Sequence, residues 1–144
     1  MKLLKLLPLS VLALALTLNI AAAQNYKNQF PNVDSKGGIK DKSGTTLGTV
    51  TKEGIIKNNK GEKVAFTDDK GNLVDNTGKI LGKAEKNGDF HNINGEIEYT
   101  VKPSKGEQCE VYDKTGKVVA SVHDNYKLQA GCIAHCLQTK MLMK

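Results

Sequence analysis

The chain has 144 residues, enough for a single domain, and carries 21 lysines against 15 acidic residues for a net charge of +6. Arginine, whose planar guanidinium grips phosphates and guanine through paired hydrogen bonds, is absent, which argues against a nucleic-acid-binding surface. Tryptophan is also absent and aromatic residues make up only 5% of the chain, which argues against a platform for stacking sugar rings.

The first 23 residues are predicted to be a secretory signal peptide. Lys2 and Lys5 precede an almost entirely apolar run over residues 6–20, and alanines at 21–23 supply the small side chains that signal peptidase requires. Cleavage is expected before Gln24, which is not the cysteine that lipid attachment would need. The apolar run is short for a membrane span, so no transmembrane segment is expected after cleavage. The sequence therefore predicts export to the periplasm, the cell envelope or the exterior.

From residue 37 onward, two interleaved series of glycines recur with a period of 17 residues, which indicates an internal repeat. The first series is Gly37, Gly54, Gly71 and Gly88, and the second is Gly44, Gly61, Gly78 and Gly95. The position two residues after each first-series glycine is apolar, and the position four residues after it is Asp or Asn. The register shifts by four residues across 103–106 and resumes at Cys109. We predict a lead-in strand over 24–36 and a hairpin-repeat domain over 37–144, with units beginning at 37, 54, 71, 88 and 109 and a partial unit at 126.

Each unit is predicted to be a β-hairpin because its turn residues follow a fixed pattern. Segments such as 41–44 and 75–78 begin with Asp, whose carboxylate accepts backbone N–H groups, and end with Gly, which tolerates the left-handed conformation. This pattern is typical of a type I turn with a glycine bulge. A small residue in the next strand predicts close approach of a neighbouring backbone, at Gly48, Ala65, Gly82 and Ala120. Long helices are not expected, because no stretch after residue 24 keeps a helical period for ten residues without Gly or Pro.

A single hairpin is not stable in water, so each unit must bury its apolar side chain against its neighbours. The side chains predicted to form this shared core are Ile39, Ile56, Leu73, Phe90, Val111 and Leu128. The units can stack in an open row or close into a ring. Closure is favoured because an open row leaves sheet edges exposed, whereas partial units at the two ends of the chain can complete one another.

The repeated order of Gly, apolar residue, Asp and Gly, after a signal peptide that leaves Gln24 first, resembles the five-fold β-flower proteins of Bacteroidota. The pattern is clearest over residues 37–50 and 71–84, and the resemblance extends over residues 30–136. It implies an all-β fold in which β-hairpins of 17 residues form a closed pseudo-five-fold β-flower, and it implies no known enzymatic activity. The family typically ends in a strongly apolar strand, whereas the tail 133–144 of this chain contains several polar residues.

Three cysteines, Cys109, Cys132 and Cys136, fall in the last third of the chain, and an exported protein meets an oxidising compartment. One expectation is a disulfide from Cys109 to either of the others, and the alternative is three free thiols. We place Cys132 and Cys136 on a final strand, where residues four apart are separated by roughly 13 Å and cannot bridge. His135 would then point away from both cysteines, which argues against a zinc site.

No other group of residues in the sequence indicates a metal-binding or catalytic site. Asp41, Asp75 and Asp113 raise the idea of a calcium ring, but each turn supplies only one such carboxylate, and the turn itself requires it. His91 and His123 lack the spacing of metal ligands, and the serines of the mature chain do not occur in a nucleophile-elbow context. We therefore predict no metal, no cofactor and no enzymatic activity.

The leading functional prediction is an exported, non-enzymatic structural or binding scaffold of the cell envelope. A rigid β-core that carries many short loops is suited to contacting an envelope protein or a surface polymer. The alternative prediction is a carrier of a small ligand or metal, which would use either an axial cavity or the cysteine-containing C-terminal strand.

Overall fold

The computed structural model describes residues 29–143, so the predicted signal peptide and most of the lead-in lie outside the described residues. Eleven strands form one sheet that closes into a barrel. Their bounds are β1 (Asn32–Val33), β2 (Gly38–Lys40), β3 (Thr46–Val50), β4 (Ile55–Asn58), β5 (Lys63–Thr67), β6 (Asn72–Asp75), β7 (Ile80–Ala84), β8 (Phe90–Asn92), β9 (Ile97–Pro103), β10 (Gln108–Tyr112) and β11 (Val118–His123). Consecutive strands pair antiparallel, and β1 pairs parallel with β11 to close the barrel. The predicted β class is therefore confirmed, with one short helix added.

The turns follow the two glycine series. In the turn between β2 and β3, the Oδ1 atom of Asp41 accepts hydrogen bonds from the backbone N–H groups of Ser43 at 3.0 Å and Thr45 at 2.9 Å. Gly44 closes the same turn with a φ of 91°, a value that a residue with a Cβ rarely adopts. A β-bulge follows in the paired strands, between Ile39 and Lys40. The predicted roles of Asp and Gly in these turns are thus confirmed.

The two sets of turns lie at opposite ends of the barrel. We call the end that carries the turns of Gly37, Gly54, Gly71 and Gly88 the proximal end, and the end that carries the turns of Gly44, Gly61, Gly78, Gly95 and Gly116 the distal end. A Cβ added at Gly71 would lie 2.7 Å from the carbonyl oxygen of Ala84, so the proximal turns are packed against their neighbours. No atom lies within 4 Å of a Cβ added at any of the five distal glycines. The distal turns therefore project freely.

The barrel interior holds most of the side chains that were predicted to form the shared core. Five of the six predicted core side chains have no solvent-exposed surface: Ile39, Ile56, Leu73, Phe90 and Val111. The predicted close backbone approach is confirmed at Gly48 and Gly82, where an added Cβ would overlap the carbonyl oxygens of Lys57 and His91. The prediction for Leu128 is wrong, because this side chain is 58% exposed. It lies in a 3₁₀ segment, Asp124–Gln129, that crosses the proximal end instead of forming a sixth hairpin.

The predicted C-terminal strand is also wrong, because Ala130–Gln138 forms a helix, α1. Pairing of β1 with β11 has already closed the barrel, so no sheet edge is left to satisfy the backbone of another strand. A helix satisfies its own backbone groups and needs no such edge. Its small residues keep it narrow, and the buried ones are Ala130, Gly131, Cys132, Ala134 and Cys136. With nine residues, α1 is shorter than the ten-residue window in which no helical period was found.

Helix α1 runs lengthwise through the barrel. It begins at the proximal end, where the Gly131 N–H donates to the carbonyl oxygen of Gly88 at 3.0 Å. It ends at the distal end, where Gln138 shares a depression with Asp41 and Asp113. Its buried residues lie on all of its sides, and α1 contacts β7 to β11. We conclude that the barrel wall surrounds α1 and that α1 fills the lumen.

The 3₁₀ segment ties α1 to the proximal turns. The side-chain amide of Asn125 donates to the carbonyl oxygen of Ser35 at 3.1 Å, and that of Gln129 donates to the carbonyl oxygen of Lys52 at 3.3 Å. These bonds hold the entrance of the helix across the end of the barrel. After α1, a short 3₁₀ turn, Met141–Met143, contacts β3 and β4 and buries Leu142. Within residues 29–143, no helix has the length and apolar character needed to cross a membrane.

Candidate functional site: the cysteine-bearing helix in the barrel

The structure brings the three cysteines into the barrel interior. Cys109 lies on β10, Cys132 and Cys136 lie on α1, and all three are free thiols without exposed surface. The Cys109 thiol donates to the carbonyl oxygen of Val122 at 3.3 Å, and the Cys132 sulfur accepts from the Thr67 hydroxyl at 3.8 Å. These thiols act as small core side chains here, and a disulfide from Cys109 stays a prediction.

The helix corrects the geometry assumed for Cys132, His135 and Cys136. On a strand, His135 would point away from the two cysteines, but side chains three and four residues apart on a helix are neighbours. The Cβ atoms of Cys132 and Cys136 are then about 5–6 Å apart, beyond the 3.5–4.5 Å of a relaxed disulfide. No three side chains of the metal-binding types converge within residues 29–143. The side of α1 that carries Cys132, His135 and Cys136 therefore has the geometry of neither a relaxed disulfide nor a metal centre.

Burial also makes the helix thiols unreactive. Removal from water raises the pKa of Cys132 to about 12 and that of Cys136 to about 12, and the neighbouring Cys132 adds to the shift of Cys136. The thiolate, not the thiol, is the nucleophile and the metal ligand. Both groups are therefore protonated at neutral pH and unsuited to nucleophilic catalysis.

This burial predicts a loss of stability at alkaline pH. In the unfolded chain the two thiols ionise near their ordinary pKa of 9.0, whereas in the folded chain they stay protonated until about pH 12. The contribution of the two buried thiols to the free energy of unfolding is therefore fully present below about pH 9. It is lost progressively as the pH rises toward 12. At about pH 10.5 each thiol is expected to cost roughly 2 kcal/mol. Urea denaturation at a series of pH values measures the change.

The matched control is the double variant Cys132→Ala/Cys136→Ala, which removes both thiols. Its free energy of unfolding should fall less steeply between about pH 9 and pH 10.5. A residual slope is expected from Cys109 and Tyr99, since burial also raises the pKa of the Cys109 thiol and raises that of the Tyr99 hydroxyl to about 12. Equal slopes for the variant and the wild-type chain would show that the thiols are not buried inside the barrel.

His135 is the polar member of the helix. Its ring packs against Phe90 with the ring centroids 4.9 Å apart, and its Nδ1 lies 3.8 Å from the Oε2 of Glu98. This buried nitrogen makes no hydrogen bond. Burial lowers the pKa of His135, and the nearby Glu98 carboxylate opposes the shift. Sequence reasoning missed the pair because it placed His135 on a strand.

Glu98 reaches the helix where two strands separate. The pairing of β9 with β10 ends at Thr100 and Tyr112, and Glu98 lies beyond that point, toward the distal end. The separation leaves an open depression of about 440 Å³, in which the Nζ of Lys102 lies 5.0 Å from the centre of the Tyr112 ring. The Tyr112 hydroxyl donates a hydrogen bond to the Oε1 of Glu110 at 3.1 Å.

Of the remaining candidates, Asp41 and Asp113 line the same depression at the distal end, and the others lie apart. Asp75 and Asp113, like Asp41, each use one carboxylate oxygen to accept backbone N–H groups of their own turn. His91 lies 3.6 Å from Glu85, and His123 lies 3.1 Å from Glu107, in different parts of the barrel. Through α1 the structure brings Cys132, His135 and Cys136 to neighbouring positions of one helix, whereas Cys109 lies on β10. The aspartates are therefore explained by turn geometry.

Comparison with known proteins finds one similar family, and no activity is described for that family. Residues 31–89, which include β1 to β7, are similar to a family of proteins of unknown function, DUF3659. No curated protein and no solved structure matches the chain. The similarity covers the hairpins β2–β3, β4–β5 and β6–β7 and does not reach α1.

Proposed function

We propose that the protein is an exported, non-enzymatic scaffold of the cell envelope that presents loops on a rigid barrel. The observation that carries the proposal is the helix in the lumen. It fills the axial space that a carried ligand would need, and it buries the thiols that could have reacted. Asp41, Asp75 and Asp113 accept hydrogen bonds within their own turns, and the loops at the two ends are the surfaces left for contact.

We also propose that the five units beginning at 37, 54, 71, 88 and 109 form a pseudo-five-fold β-flower. Two repeated features support this arrangement. In each unit the side chain two residues after the start is completely buried, and each unit has a β-bulge at the same point of its hairpin. The bulges lie at Ile39/Lys40, Ile56/Lys57, Leu73/Val74, Phe90/His91 and Val111/Tyr112. Export is proposed from the charged, apolar and small-residue segments of residues 1–23.

Intact-protein mass spectrometry under native and denaturing conditions tests the proposal, with the protein produced from its full gene. We expect a chain that begins at Gln24, recovered outside the cytoplasm, with the same mass in native and denaturing spectra. Measurement with and without reductant also reports whether two thiols have been oxidised to a disulfide. A metal or small molecule that remains bound in the native spectrum would overturn the scaffold role. A cytoplasmic chain that retains residues 1–23 would overturn export.

A further inference from the structure

Exposed large apolar side chains are concentrated at one end of the barrel. Five of them occur within residues 29–143, and four lie at the distal end: Ile80, Ile93, Ile97 and Met143. Ile80 and Ile97 occupy equivalent places on neighbouring hairpins, two residues after the glycines of their turns, and each is 50% exposed. Ile93, in the turn of the second hairpin, is 69% exposed. Neighbouring tips of hairpins β6–β7 and β8–β9 therefore present aliphatic side chains to solvent.

The same end carries the excess of positive charge. The distal loops, taken together with the adjoining strand and helix residues as 41–46, 58–63, 75–80, 92–97, 113–118 and 138–143, contain seven lysines and five acidic residues, for a net charge of +2. The proximal loops, 34–37, 51–54, 68–71, 85–89, 103–108 and 124–129, contain six lysines and eight acidic residues, for a net charge of −2. The barrel is therefore electrically polar along its axis, and the protruding isoleucines lie at its positive end.

We propose that the distal end docks on the surface of an anionic lipid bilayer. Aliphatic side chains on projecting loops can enter the boundary between headgroups and acyl chains, while lysines around them are attracted to anionic headgroups. The net negative proximal end would face away from the lipid. The inference rests on the proposed envelope role and names the partner of that scaffold as a lipid surface.

The composition of the distal end favours a lipid partner over a protein partner. The centres of protein interfaces are enriched in arginine and large aromatic residues and depleted in lysine. The distal loops contain seven lysines and no arginine, tryptophan, tyrosine or phenylalanine. Attraction to an anionic bilayer requires only positive charge near its surface, and lysine supplies that charge. A second copy of the chain, whose negative proximal end could meet this positive end, is the competing occupant.

Vesicle sedimentation with the purified mature chain tests the proposal. The two probes are vesicles of phosphatidylcholine alone and vesicles in which about one third of the lipid is phosphatidylglycerol. We expect at least about tenfold tighter binding to the anionic vesicles, weakened by added salt at about 0.5 M. Absence of binding to anionic vesicles would overturn the proposal. Absence of vesicle binding would not affect the proposed scaffold role, because mass spectrometry tests export and bound ligands separately.

Matched variants assign binding to one end. Ile80→Ser/Ile93→Ser/Ile97→Ser is expected to weaken binding to anionic vesicles by about tenfold or more. Leu128→Ser, at an equally exposed leucine of the proximal end, is expected to leave binding unchanged. Lys63→Gln/Lys79→Gln should weaken binding at low salt, whereas Lys52→Gln/Lys86→Gln, at the proximal end, should not.

Thermal unfolding confirms that each variant is folded, which is expected because the substituted side chains are exposed. Equal effects of the distal and proximal variants would overturn the docking surface. Sedimentation equilibrium without lipid addresses the competing occupant. Self-association that the distal isoleucine variant abolishes would show that this end meets a second copy, and it would also overturn the proposal.

Discussion

Replacing Phe90 with alanine is expected to lower the free energy of unfolding by about 3–5 kcal/mol, the usual cost of removing a buried aromatic side chain. Phe90 has no exposed surface and lies on β8 between the barrel wall and α1. Its ring centroid lies 6.3 Å from that of Tyr99 and 4.9 Å from that of His135. The substitution would leave a cavity where the helix meets the wall, because a closed sheet cannot collapse around it.

Phe66→Ala is the matched control for this prediction, since it makes the same chemical change on a partly exposed residue. At the barrel surface, the Nζ of Lys63 lies over the Phe66 ring, 4.6 Å from the ring centroid. Its removal should cost much less, on the order of 1 kcal/mol. Urea denaturation of both variants measures the difference. Equal losses would show that Phe90 is not the contact between the helix and the wall.

Gly131→Ala is expected to lower the free energy of unfolding by about 1–3 kcal/mol, although alanine favours helices over glycine by about 1 kcal/mol. The reason is the seating of α1 against β8. A Cβ at Gly131 would lie 2.7 Å from the Cβ of Phe90 and would overlap the carbonyl oxygen of Gly88. Both neighbours are anchored in the sheet or in its turns, so the helix itself would have to move away from the wall.

Gln138→Ala is the matched control for Gly131→Ala. Gln138 lies at the exposed end of the same helix, so its substitution should change helix propensity without changing the packing of the interior. A change within about 0.5 kcal/mol is expected there. Thermal and urea unfolding should give the same order for the two variants. If Gly131→Ala stabilised the protein, helix propensity would have outweighed steric overlap, and α1 could not be packed against β8 as described.

The turns were predictable because their signals are local. A turn that begins with Asp41 and ends with Gly44 depends on hydrogen bonds within a few residues and on one positive φ, so its chemistry can be read directly from the chain. The constant spacing then gives the strand directions, and one side chain per unit, such as Ile56 or Leu73, must face the shared interior. The predicted turns, close approaches and five of six core positions follow from these local rules.

The C-terminal segment was not predictable in the same way. Residues 130–138 contain small and apolar side chains without a helical or strand period clear enough to decide between them. The choice depends on whether a sheet edge is free, and that depends on the pairing of β1 with β11, far apart in the chain. Leu128 was misplaced for the same reason, since the unit to which it was assigned does not exist as a hairpin.

The amino-acid sequence by itself determined the β class, the turn residues and most of the side chains that face the interior, because neighbouring residues decide them. Only the tertiary structure decided the candidate site. Closure of the barrel removed the edge on which a last strand could pair, and the final segment became a helix inside the lumen. That helix brought His135 to Glu98 and enclosed Cys132 and Cys136, and these contacts exist only once the wall surrounds them.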